Sequence, residues 1–167
     1  MLTARRRNAR SLSAAILGLV VTVATSSLFG GQAMAQAVGN RATFPKNFNE
    51  FVLYGNYDRG SSKEEAFATP ETIAIAKSGK PLPPGTHLVL GIWKDYKLTG
   101  YFVMEKGVDW GKGFPEDERT GDWHFQEFDV NKNVRRSAFA ERCQSCHGSQ
   151  ADNDFMYTLD RMQAYLP

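Results

Sequence analysis

Cysteine is scarce in this chain, with 2 among 167 residues, and histidine is barely commoner at 3. A structural zinc site wants four ligands. With so few cysteines, and with His87 and His124 far from them in sequence, the chain is poorly equipped for one. Internal repeats and low-complexity tracts are absent beyond the N-terminal segment, so a single domain is expected. Positive charge is also scarce once that segment is set aside. Arg5, Arg6, Arg7 and Arg10 precede an apolar run from Ala14 to Leu28, and Ala33-Met34-Ala35 supplies a small-residue cleavage site. A membrane anchor is the competing reading, but the run is near the lower length limit for a span and is diluted by Thr22, Thr25, Ser26 and Ser27. Residues 1–35 are therefore read as a cleaved signal peptide. "TARRRNARSL" is a loose twin-arginine match, and no cysteine stands at the cleavage site to carry a lipid. The expected destination is the periplasm. Taking the four arginines from 20 basic residues leaves 16 against 18 acidic ones, so residues 36–167, 132 in number, carry −2. That balance gives no electrostatic case for nucleic acid or for an anionic membrane surface.

The remainder reads as one β-rich domain. A polar lead, "QAVGNRAT", is expected to be a flexible N-terminus. In "TPETIAIAKSGK", Thr69 is an N-cap, Pro70 the first helical residue, Glu71 an acid in the first turn and Gly79 a stop, which predicts a helix over 70–78. "THLVLGIWK" and "GYFVMEK" carry the branched and aromatic residues of strands and should pair antiparallel across "DYKLTG". "DWHFQEFDV", 122–130, alternates Trp123 and Phe125 with His124 and Gln126, the mark of a half-buried strand. His87 and His124 read as surface positions on such strands, and the tryptophans and phenylalanines as core or pocket wall. The glycine-rich stretch 107–121 is either a lid or a solvated connection. Phe139, Cys143, Cys146 and His147 recur at helical spacing, so a short helix closes the domain.

Both cysteines lie in that helix, in "ERCQSCHGSQ". C-x-x-C-H is the attachment signature of c-type haem: two thiols add across the vinyl groups and the adjacent imidazole meets the iron. Two intervening residues put the sulfurs about one helical turn apart on one face. A redox dithiol would use the cysteines without needing the histidine, and nothing nearby resembles a βαβ redox unit. Small electron carriers bear the motif early and an axial methionine late. Here only Met156 and Met162 follow it. Four-helix cytochromes bear it late, but behind long amphipathic helices rather than strands.

A C-terminal C-x-x-C-H preceded in order by "FPKNFNEFVLYG", "TPETIAIAKSGKPLPPGTHLVL", "YFVMEK" and "RTGDWHFQEFD", and continuing as "CQSCHGSQADNDFMYT", resembles the cytochrome P-460 family and its relative cytochrome c′-β. The resemblance implies an α+β, β-rich fold, an antiparallel β-sheet body with short helices and a C-terminal helical haem-binding segment. It also implies a homodimer with one covalently attached haem c and its iron, held by Cys143, Cys146 and His147, with an open pocket on the other side. Family members with a lysine bonded to the haem ring oxidise hydroxylamine. That lysine falls at Leu90 here, which cannot make the bond, so binding of nitric oxide is the leading expectation. Hydroxylamine oxidation and six-coordinate electron transfer to a periplasmic redox partner are the alternatives. Glu105 aligns with a carboxylate near the distal pocket and is the candidate base, its competing role being a strand residue paired with Lys94 or Lys106. Glu64 stands where relatives carry an arginine, for which Arg59 or Lys63 could substitute. Met104 and Met156 are candidate sixth ligands with core filling as the plainer role. Lys94 and Lys97 form either a docking patch or a solvated strand end.

Overall fold

The computed structural model describes residues 41–135 and 139–167. The expected signal peptide and most of the polar lead lie outside them. Five strands, β1 (Val52–Arg59), β2 (Ser62–Ala68), β3 (His87–Lys94), β4 (Lys97–Lys106) and β5 (Trp123–Phe128), form one sheet in chain order, every neighbouring pair antiparallel. Three short helices accompany it: α1 (Pro70–Lys77), α2 (Phe139–His147) and α3 (Leu159–Ala164). The architecture is thus α+β and β-rich, with a helix at the haem motif.

Local chemistry accounts for the elements. Thr69 Oγ1 accepts the Thr72 amide at 3.1 Å, an N-cap worth about 1 kcal/mol, and α1 starts at Pro70 as expected. The β3–β4 hairpin is tighter than "DYKLTG" implied. Asp95 and Tyr96 both take left-handed φ, 47° and 62°, so two residues close the turn and β4 begins at Lys97. Strands β1 and β2 had no counterpart in the sequence reading. β2 is "SKEEAFA", whose consecutive charged residues hide the alternation, and β1 is interrupted by a bulge between Leu53 and Gly55 that places Tyr54 as an extra residue.

The sheet separates two apolar layers. Ala66, Leu88, Trp123 and Phe125 point to one side with α1, α3 and the segment after α2. Val89, Val103 and Phe128 point to the other, under Phe44, Phe48 and Phe67. On that second side Phe44 stands edge-on to Phe48, Tyr101 and Phe128 with centroids 5.2–5.4 Å apart, pairs worth about 0.5–1.5 kcal/mol each beyond burial.

This second layer corrects three expectations. Residues 41–43 of the polar lead are pinned rather than loose: the Arg41 amide donates to His124 Nδ1 at 3.1 Å, and the Thr43 amide to Glu105 Oε2 at 2.6 Å. β5 is buried on both faces, not one. His124 is accordingly a core residue, 2 % exposed, between the Trp110 and Phe114 rings. Its Nδ1 accepts from Arg41, so Nε2 carries the proton and donates to Trp110 O at 3.3 Å. Burial holds its imidazole below the usual range, hence neutral. His87 is half-buried rather than a surface residue, its Nε2 3.2 Å from Glu105. The stretch 107–121 folds as two 3₁₀ turns, Trp110–Gly113 and Glu116–Glu118, with Trp110 and Phe114 against His124 on the second layer.

Candidate haem site

On the first side of the sheet, α2 faces β3, β4 and β5 across a cavity of about 790 Å³. Alternation along the strands decides what reaches it. Leu88 and Leu90 of β3 stand opposite Met104 and Phe102 of β4, and Met104 stands opposite Phe125 of β5. All five line the cavity, and Cys143, Cys146 and His147 line it from the helix side. The helical register predicted from the motif therefore brings Cys143, Cys146 and His147 to one cavity.

His147 is held on three sides. Its ring lies 4.7 Å from Phe125 and 5.2 Å from Tyr157, centroid to centroid. Its Nδ1 is 2.6 Å from Phe155 O. A carbonyl only accepts, so Nδ1 carries the proton and Nε2 keeps its lone pair, the tautomer an axial ligand requires. Burial also keeps the ring below the ordinary imidazole range, the Phe155 hydrogen bond offsetting part of this, so the free base predominates at neutral pH. Both cysteines are free thiols. Burial, with Cys146 beside it, pushes the Cys143 thiol up to about 12. A redox dithiol needs the opposite shift, toward thiolate. Among the described residues, no three His, Cys, Asp or Glu side chains converge as a metal cluster. Two hydroxyls close the end of α2: Ser149 Oγ and Tyr157 Oη each donate to Cys146 O at 2.8 Å.

These residues fit a haem. The cavity volume lies inside the ~300–1,000 Å³ span of cofactor pockets, its wall from β3 and β4 is apolar, and His147 and two unbonded cysteines line it together.

A family model for cytochrome P460 matches residues 45–158. The chain belongs to the cytochrome P460 family. The match runs from before β1 through the haem motif to the start of α3. As a member of the family the chain is a cytochrome, with a haem and its iron as cofactor. No curated protein matches it.

The site residues expected of a cytochrome P460 are not all brought together. Leu90 lines the cavity. Glu105 does not. It shares a strand face with Tyr101 and Val103, as expected, but that face is the second layer, while the intervening Phe102 and Met104 reach the cavity. Its partners are Thr43, whose amide and hydroxyl reach Oε2 at 2.6 and 3.0 Å, and His87, rather than Lys94 or Lys106. The geometry gives it the work of clamping the N-terminal stretch. Glu105→Gln is accordingly expected to lower unfolding free energy by about 1–2 kcal/mol and to leave ligand uptake by the haem protein unchanged, read by urea unfolding and nitric oxide titration. A changed affinity would restore Glu105 to the pocket.

Among the described residues, Glu64 is the carboxylate that lines the cavity, bonded to Arg59 at 3.0 Å. Arg59 therefore reaches the position expected of a cationic neighbour, whereas Lys63 pairs with Glu65 at 2.6 Å and lies over Trp93. Met104 and Met156 both border the cavity, and Met156 is also core, 2 % exposed. No residue of 107–121 lines the cavity, so the lid reading gains nothing. Sequence reasoning missed Phe102 and Phe125 as specific wall residues, though their two-residue spacing from Met104 and Trp123 carried the signal. It missed Phe155 O altogether, since a backbone carbonyl leaves no mark in composition.

Proposed function

We propose that this member of the cytochrome P460 family is an exported, periplasmic c-type haem protein that binds small nitrogen oxides, nitric oxide first among them. In this reading residues 1–35 are removed and 36–167 form the mature domain. Cys143 and Cys146 hold one haem through thioethers and His147 is the single protein ligand to iron. When bound, the haem iron supplies an open coordination position for a small ligand. The observation that carries the reading is the cavity itself: an imidazole with its second nitrogen uncommitted on one side and Leu88, Leu90, Phe102 and Met104 on the other. Those four side chains are apolar and offer no charge to an anion, which supports an uncharged diatomic there, while the Arg59–Glu64 pair and Arg142 border the cavity elsewhere. Among the described residues no lysine lines the cavity, which supports a haem free of a ring cross-link.

The test is the reduced absorption spectrum of protein made in a host that matures c-type cytochromes, before and after nitric oxide. A high-spin, five-coordinate spectrum that shifts on addition is expected. A sharp low-spin spectrum indifferent to nitric oxide would overturn the reading in favour of an electron carrier, with Met104 or Met156 on iron. Hydroxylamine oxidation is the second reading, and Glu64 rather than Glu105 is the carboxylate within the cavity to serve it. Turnover with an artificial electron acceptor would establish it. A homodimer, and a redox partner docking at the exposed Lys94 and Lys97, belong to the same proposal.

A further inference from the structure

Behind His147 stands a backbone conformation that has to be held in place. Asp154 and Phe155 are consecutive non-glycine residues with left-handed φ, 50° and 60°. Each such residue is disfavoured, and two in succession persist only where their surroundings impose them. The surroundings are visible. Lys106 Nζ, at the end of β4, donates to both Asp154 oxygens at 3.0 and 2.7 Å. Trp123 Nε1, directly across the sheet on β5, donates to Asp154 Oδ1 at 3.3 Å. The ammonium also lies over the Trp123 ring, 5.2 Å from its centroid, and the lysine side chain is only 14 % exposed. Phe155 N donates to Gln150 O at 2.8 Å. The Phe155 ring lies against Gly121, whose φ of 57° and missing side chain both serve the contact, since a Cβ there would stand 2.9 Å from the ring. What this turn presents to the imidazole is Phe155 O, the acceptor of the His147 Nδ1 proton.

We propose that Lys106 and Asp154 are positioning residues for His147: the ion pair sets the left-handed turn, the turn aims Phe155 O, and that carbonyl fixes the orientation and electron donation of the imidazole. The inference rests on His147 being the iron ligand. Neither residue touches the cavity, so both act through the backbone. A firm hydrogen bond at Nδ1 makes the imidazole a stronger donor, which stabilises the ferric over the ferrous state. Loosening the turn should do the reverse.

The test uses haem-loaded protein carrying Lys106→Met or Asp154→Asn, with Lys106→Arg as the conservative variant. Asp154→Gly keeps a left-handed residue without the carboxylate and guards against a chain that fails to fold. The readings are the ferric/ferrous midpoint and the iron–histidine stretching band of the ferrous protein. For Lys106→Met and Asp154→Asn the equilibrium is expected to move roughly tenfold toward ferrous, about 59 mV for a one-electron couple. The stretching band should fall in frequency, and Lys106→Arg should stay near the parent. Variants that melt earlier yet keep the parent midpoint and band would overturn the proposal, leaving the pair a structural brace. Absence of any iron–histidine band in the parent protein would instead sink the assignment of His147.

Discussion

Protein carrying Cys143→Ser together with Cys146→Ser should lose its haem entirely to acidified organic solvent, whereas the parent, on the proposed thioether attachment, should keep it through denaturation. The expectation follows from two thiols standing on the cavity side of α2 beside His147 with nothing else bonded to them. Serine leaves the helix intact: it is nearly isosteric, and its hydroxyl does not add to a vinyl group. His147 and the apolar wall remain, so the double variant should still take up haem, reversibly, with the coordination of the parent. Each single variant should retain the haem through one bond, and the unreacted vinyl group extends the conjugation and moves the reduced visible band to longer wavelength. Haem staining of a denaturing gel separates the outcomes. A double variant that keeps its haem under those conditions would mean that another side chain is bonded to the ring, against the proposal of a haem free of a cross-link.

The largest effect on stability is expected from Phe125→Ala. Phe125 is 3 % exposed, lies opposite Met104 on β4 and carries the His147 ring 4.7 Å above it. Truncating a buried phenylalanine costs about 3–5 kcal/mol. For a domain of this size that lowers the melting temperature by roughly 10 °C or more. The loss should exceed that of a surface change by an order of magnitude and should appear in the haem-free and haem-loaded chains alike, because the ring supports both α2 and the sheet. Phe125→Leu, which keeps most of the volume, should fall well short of that loss. A melting temperature unmoved by the alanine would show that α2 is not seated on β5 at all.

Legibility in the sequence followed the range of the interactions involved. The α1 cap, the β3–β4 hairpin and the helical spacing of Cys143, Cys146 and His147 are written within a few residues each, and they stand as expected. β1 and β2 were illegible because "SKEEAFA" puts charge on both faces: Glu64 turns to the cavity and pairs with Arg59, while Lys63 and Glu65 pair with each other. The burial of His124 depends on Arg41, Trp110 and Phe114, which come from two distant segments covering the second side of the sheet. Glu105 shows the sharpest limit. Its strand face was assigned correctly from the two-residue period, but which face meets the haem segment is decided by where a helix near the end of the chain returns. Nor does anything in "DNDF" signal that Asp154 and Phe155 take left-handed backbone, because neither is glycine.

Strand order equal to chain order has a bearing on how such a protein is made. Each strand closes on the one just synthesised, so the sheet needs no contact with the last segment of the chain to form. The two cysteines lie beyond the fifth strand, in α2. Attachment machinery would therefore meet a body already shaped on one side and a short, still accessible peptide on the other. Docking of that peptide onto Phe125 would then be the event that shuts the pocket around a haem attached to it.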